Sequence, residues 1–161
     1  MTIERLFGYS DRCRTLLGQT LAAAGDDVLH RPISTLGKFD SIARLLAHMN
    51  GSEERWVVLR LQNLPLPVPY EERAAATLDG LLADAVRLRA QTVAFWSAQA
   101  PQSLTERRTV TVAGATRSLS VEDCLFHVLH HESWHRAQIS MALQQFGIDP
   151  PNFDFCLLAD P

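Results

Sequence analysis

The densest chemistry in the chain lies in HHESWHRAQ, the stretch from His130 to Gln138. Inside it, HESWH matches the H-E-x-x-H pattern of zinc peptidases, in which two histidines hold the ion and the glutamate activates water. Spacing of four on a helix puts His131 and His135 on one face, about 6 Å apart along the axis, close enough to share a metal. Counted at about 100° per residue, Cys124, Val128, Ala142 and Phe146 fall on the same side, so the pair is expected to face the interior. An imidazole buried there without a partner costs on the order of 1–3 kcal/mol. The pair therefore needs polar neighbours or an ion. Because an isolated H-x-x-x-H arises often by chance, a third ligand decides between the two.

In a peptidase the third ligand follows the motif, yet after His135 the chain contains neither histidine nor glutamate. Asp149 lies beyond the expected helix end at Gly147, and Asp154 lies beyond Pro150 and Pro151. At most one small hairpin is available to align an extended peptide, so the peptidase reading is set aside. The E-x-x-H unit of di-iron bundles, Glu132 to His135, occurs once where such sites use two copies. His48, at mid-length of the second helical stretch beside its apolar stripe, is placed compatibly with facing the pair across the core. His127 sits one turn before His131, but three ligands on one straight helix cannot converge on one ion, which leaves it a supporting or packing role. His130 points off to the side and His30 falls in a loop, so neither is expected to be a ligand.

Four amphipathic stretches must place these residues. From Thr2 to about Ala24, Ile3, Leu6, Phe7, Leu16, Leu17 and Leu21 fall at helical spacing, and Gly25 closes helix one. VLHRPISTLGKF reads as a loop over the end of the molecule. Asp40 is the expected cap of helix two, Ser41 to Gln62, whose Ile42, Leu45, Leu46, Met49, Trp56 and Leu59 form one stripe with His48 on its flank. The prolines of NLPLPVPYEE stop that helix and force an extended crossover. Thr77 caps helix three, with Leu78, Leu81, Leu82, Ala85, Leu88, Val93 and Phe95 on its buried side and Pro101 at its end. RRTVTVAGATRSLS changes to a period of two around an Ala-Gly pair, the pattern of a small hairpin. Ser120 and Asp123 form a capping box ahead of helix four, which carries the histidine pair and ends at Gly147. The predicted fold class is all-α, a four-helix bundle with a long crossover between helices two and three and a small hairpin before helix four.

Bulk properties narrow the partners. A length of 161 residues suits a single domain, 1–161, and 47% hydrophobic with 20% charged residues is ordinary for a folded one. A net charge of -3 without any Lys/Arg run excludes direct nucleic-acid binding. No run of 18 apolar residues exists, and the charged start MTIERLFGYSDR is unlike a signal peptide, so no membrane association is expected. Cys13, Cys124 and Cys156, an odd number without a C-x-x-C, read as reduced buried thiols in a cytoplasmic protein.

Taken in order, LLAHMNGSEERW in helix two, HVLHHESWHRAQI in helix four and LQQFGIDPPNFDF after it resemble the DinB family of four-helix-bundle metalloproteins, over nearly the whole chain. The last-helix string is the most specific part, joining H-x-x-x-H, the following Arg-small-Gln and the Gly-x-x-Pro-Pro exit. The resemblance implies a metal held by three histidines that match His48, His131 and His135, a long crossover after helix two, and a homodimer. It does not imply one activity. Relatives of the fold are thiol-dependent transferases or isomerases using bacillithiol, mycothiol or glutathione, others are assigned as metal-dependent hydrolases, and many are named only for DNA-damage induction.

Three neutral imidazoles would leave a divalent ion its full charge, so its open position would favour hydroxide, thiolate or carboxylate. The expected function is a metal-dependent thiol S-transferase, with a low-molecular-weight thiol as cosubstrate and a small molecule as substrate. A metal-dependent hydrolase and a non-enzymatic, stress-related metal-binding protein are the alternatives. Imidazole suits zinc, nickel, copper and iron alike, with zinc or nickel the expected cofactor. A hydrolase needs a general base, for which Glu132, Glu53 and Glu54 are the sequence-near candidates, and otherwise they read as solvated charges. Arg136 and Gln138 would either orient a histidine through its free ring nitrogen or tie the last helix to a neighbour. Trp56 and Trp134 read as bundle or dimer-interface packing.

Overall fold

Side-chain caps set where the long helices begin. In the computed structural model of the protein, which describes residues 2–34, 39–65, 68–74, 77–112 and 114–158, Thr2 accepts from the Arg5 amide at the start of α1 (Ile3–Ala24). The next helix is short, α2 (Asp26–His30), where a loop was expected, and it favours its ends with Asp26 and Asp27 first and His30 last. Residues 35–38 of the expected loop lie outside those described. The second long helix, α3 (Ile42–Glu53), is capped by the Ser41 hydroxyl and not by Asp40. Starting at Ile42 buries that side chain completely, and Asp40 is left to pair with Arg44 on the surface at 3.4 Å.

Beyond Glu53 the helix continues as a π-helical segment, Glu54–Arg60, so the stripe expected of helix two runs to nearly its full length on a widened backbone. The crossover is less extended than its prolines suggest. Within it Tyr70–Arg73 forms a one-turn helix, α4, pinned by the buried Tyr70, whose hydroxyl donates to Asp84 at 2.6 Å and faces the Asn50 amide at 3.3 Å. Residues 66 and 67 of the crossover are outside the described set.

Thr77 caps α5 (Leu78–Ser97), and a single 3₁₀ turn at Pro101–Leu104 follows. The expected hairpin is present as β1 (Arg107–Val112) antiparallel to β2 (Ala115–Ser120), with Arg107 opposite Ser120. Its turn uses Gly114 at φ +77°, while Ala113 lies outside the described residues. Ser120 ends β2 and opens α6 (Val121–Gln145) through the capping box with Asp123. Gly147 at φ +77° lets the chain leave α6, and a last turn, α7 (Phe155–Leu158), is held where the Tyr9 hydroxyl donates to the Phe153 carbonyl at 2.6 Å. Among the described residues no helix is long and apolar enough to cross a membrane.

Helix α3 packs against α5 and α6, and α1 packs against the same two. Their apolar contacts form two clusters, one including Leu17, Met49, Leu88 and Ile139, the other including Phe7, Val57 and Val128. Between them every long helix contributes charge: the largely buried Arg14 on α1, and the buried Glu53 on α3, Arg89 on α5, Glu132 and Arg136 on α6. Arg14 bridges Glu53 at 2.7 Å and Glu132 at 2.8 Å. Arg89 bridges the same two carboxylates at 2.8 and 3.0 Å and reaches Asp11, while Arg136 joins Glu132 at 2.8 Å. The layer therefore sets three guanidinium groups against three carboxylates.

This layer corrects several expectations. Glu132 and Glu53 are neither free bases nor solvated charges, being 2% and 0% exposed and paired with arginine. Arg136 is a core residue donating to Glu132 and Ser10. On α5 the inward positions go to Arg89 and Thr92, whereas Val93, expected inside, is partly exposed because the helix is rotated to bring Arg89 to the carboxylates. Cys156 is exposed on the outside of α7, unlike the buried Cys13 and Cys124.

Removing one partner from a buried ion cluster leaves the others uncompensated, at a cost of about 3–5 kcal/mol. Burial alone would raise the Glu132 carboxyl, but Arg14, Arg89 and Arg136 outweigh it and hold it at about 2. Arg14 and Arg89 likewise hold Glu53 below its ordinary range against burial. With folded values below the unfolded ones, this stabilisation is complete above the ordinary value near 4.5 and is lost as pH falls toward 2. Glu132→Gln is expected to lower stability by about 3–5 kcal/mol in urea denaturation at pH 7, with the gap to wild type closing on acidification. A loss below about 1 kcal/mol would show that the layer does not depend on Glu132.

Candidate metal centre

The structure brings together the three histidines singled out from the sequence. His48 comes from α3 and His131 and His135 from α6, and their ligand atoms all lie within 4.8 Å of one another. The His131 Nε2 is 3.1 Å from that of His48 and 3.2 Å from that of His135. Two metal–nitrogen bonds of about 2.0–2.1 Å at a tetrahedral angle span about 3.3 Å, so the two separations made by His131 suit pairs of donors on one ion.

The outer nitrogens decide what the inner ones can do. His48 Nδ1 lies 2.7 Å from Glu71 Oε1, and that carboxylate also receives Arg55 Nη1 at 2.9 Å. His135 Nδ1 lies 2.6 Å from the Gln138 amide oxygen. An acceptor at Nδ1 puts the proton there, which leaves Nε2 of the neutral ring as a lone pair. His48 and His135 thus both present lone pairs to His131, whose Nε2 has at most one proton to offer. At least one close nitrogen–nitrogen contact then lacks a hydrogen, and a cation among the three atoms would remove that conflict.

Electrostatics point the same way. Burial, then the neighbouring His135 and His48, drive His131 down to about 3. Burial also lowers His135, against the hydrogen bond to Gln138, which raises it. Both rings are therefore neutral at physiological pH, the form in which imidazole ligates. Burial would raise the Glu71 carboxyl, but the hydrogen bond from His48 and the Arg55 guanidinium help bring it to about 2. Phe39 stacks on His48 at 4.1 Å between centroids and meets His135 edge-on at 6.0 Å, closing one side. A cleft of about 650 Å³ opens beside His48, with Phe39, Leu59, Val68 and Tyr70 giving it an apolar wall and Arg44 a cationic one.

The remaining candidates are not part of this cluster, except Gln138 through His135. Glu132 projects into the charge layer, and Glu54 is paired with Arg73. His127 packs at a tilt against Trp56 at 4.4 Å and lies 5.7 Å from His131 by ring centres, while His130 and His30 are exposed. Trp134 is 63% exposed and packs in no core. Glu71 and Phe39 were not singled out from the sequence. Both lie in connections whose path no helical period predicts, and a glutamate after a proline run carries no signal of its own.

The DinB family model matches residues 2–161 of the chain. A crystal structure of a DinB-like protein from Bacillus cereus, at 2.01 Å resolution, is similar with a TM-score of 0.67 and 15% identity over 91% of each chain. That identity carries the fold alone. Comparison with curated proteins finds no match.

The proton placement is directly testable. Two-bond ¹H–¹⁵N spectra of the metal-free protein near neutral pH are expected to show His48 and His135 as Nδ1–H tautomers. An Nε2–H pattern for His48 would contradict it.

Proposed function

The chain belongs to the DinB family, and with that as premise we propose that His48, His131 and His135 hold one divalent metal ion, zinc or nickel, in a thiol S-transferase. The observation that carries the metal reading is the convergence of three Nε2 atoms, two of them, on His48 and His135, left as lone pairs by their outer partners Glu71 and Gln138. A divalent ion bound there would supply Lewis acidity that lets a low-molecular-weight thiol ionise at neutral pH. The chain's own residues do the rest: Glu71 and Gln138 orient the rings, Phe39 excludes water on one side, and the cleft beside His48 receives the apolar body of an electrophile. Transferase is favoured over hydrolase because Glu132, Glu53 and Glu54, the candidate bases named from the sequence, are each paired with arginine, Glu54 at the cleft wall with Arg73.

We read the chain as one domain and the packing of α1, α3, α5 and α6 as a four-helix bundle, supported by the family match over 2–161 and by the pairing of each helix with two others. Elemental analysis of purified protein is expected to find one divalent ion per chain, lost in His48→Ala. Metal at a hundredfold excess over its Kd is expected to stabilise the apo protein by about 2.7 kcal/mol. Conjugation of an electrophile should require both the ion and an added thiol. Chelator-sensitive hydrolysis without thiol would favour the hydrolase, and metal binding with neither activity would favour the non-enzymatic reading.

A homodimer fits the outer face of α6. Phe126, Trp134 and Met141 are 49%, 63% and 60% exposed, and the charged residues between Cys124 and Gln145, Glu132 and Arg136, are both buried. That leaves an uncharged helical face rich in aromatic and Met side chains, the composition of interface cores. An antiparallel two-fold pair centred between Ser133 and Trp134 would set Phe126 against the partner's Met141, two large apolar side chains, and His130 against the partner's Ala137 and Trp134 against the partner's Ser133, large over small. Sedimentation analysis is expected to give a dimer for wild type and a monomer with intact metal binding for Trp134→Glu. A monomeric wild type would remove this partner.

A further inference from the structure

We propose that Glu71 is the positioning residue for His48 and that Gly51 is the notch that admits it; this deepens the three-histidine reading and rests on it. Gly51 lies on α3 between His48 and Arg55, is buried, and has no positive φ that would call for glycine. Glycine in a helix interior costs stability relative to alanine, so its place needs a reason of another kind. A Cβ at this position would stand 2.9 Å from Arg55 Nη1, 3.0 Å from Glu71 Oε2 and 3.1 Å from Glu71 Cδ. The missing side chain is the space in which the Arg55–Glu71 pair sits.

That pair fixes the acceptor from which His48 takes its orientation. Arg55 Nη1 reaches both carboxylate oxygens of Glu71 at 2.9 Å, and Oε1 also meets His48 Nδ1 at 2.7 Å. Glu71 is brought there by α4, which has anchors of its own: Tyr70 to Asp84, and Arg73 to Glu54. The carboxylate is therefore held on both sides, by the crossover that carries it and by the guanidinium in the notch. With Glu71 in place the Nδ1–H tautomer of His48 is selected and its Nε2 lone pair is aimed at His131. Without it the ring is free to take the Nε2–H form, which cannot ligate through that atom.

Cobalt(II) titration of the full-length metal-free protein, followed by its visible absorption, separates positioning from mere attachment of the crossover. Wild type is expected to bind one cobalt per chain, and Glu71→Gln to raise the Kd by about 10–100-fold with an altered spectrum while keeping wild-type helicity. Gly51→Ala, whose Cβ crowds the pair out of the notch while both partners keep their identity, is expected to do the same. If both variants bind cobalt with wild-type Kd and spectrum while His48→Ala abolishes binding, the metal site stands and the role of Glu71 is overturned. If Glu71→Gln fails to fold, Gly51→Ala alone decides between these results. If wild type binds no cobalt, both readings fall together.

Discussion

Glu132 accepts hydrogen bonds from Arg14, Arg89 and Arg136, guanidinium groups drawn from three different helices. Apolar packing alone tolerates some rotation of a helix about its axis, because one aliphatic side chain replaces another at modest cost. A buried carboxylate held by Arg14 of α1 and Arg89 of α5 does not, since turning α6 away from them strands a charge in a low-dielectric interior. The layer thus fixes the azimuth of α6. His131 precedes Glu132 by one residue and His135 follows by three, so both are turned about 60–100° from it. That rotation is what delivers them toward α3 and His48. In this chain the glutamate of H-E-x-x-H does not work beside the histidines; it holds the helix that aims them.

The histidine cluster and the charge layer are two solutions to the same difficulty, polar groups inside a small core. In the layer, opposite formal charges balance with nothing added. Among the histidines there is no such balance, because with Glu71 and Gln138 accepting at Nδ1 of two rings the three Nε2 atoms share at most one proton and one close contact lacks a hydrogen. The layer is complete in itself, whereas the three histidines leave a place that a cation could fill.

The pairing of His131 with His135 was legible in the sequence because helical spacing fixes which residues share a face, while His48 was only compatibly placed beside its stripe and joined them through the family resemblance. The caps at Thr77 and Ser120 and the alternating hairpin were legible from local pattern. Arg89 was not, since an arginine one place from a leucine stripe reads as a surface charge until its partners on α1, α3 and α6 are known. Glu71 is the extreme case, its meaning depending on the path of a proline-rich connection and on a glycine twenty positions earlier. Asp40 and Ser41 show the limit for local signals: both residue types cap well, and the burial of Ile42 chose between them.

The π-helical segment Glu54–Arg60 sits where α3 passes from one apolar cluster, through Met49, to the other, through Val57 and Leu61. A backbone closing its hydrogen bonds one residue later accommodates one residue more than an α-turn, shifting the phase of everything after it by about 100°. The two halves of this helix therefore count their inward residues from different origins. A homologue lacking a single residue here would keep both apolar patterns and lose only the bulge. When relatives of this chain are aligned, a one-position gap between Glu53 and Leu61 is thus the natural boundary, and forcing the sequences through it ungapped would misassign every inward position on the far side.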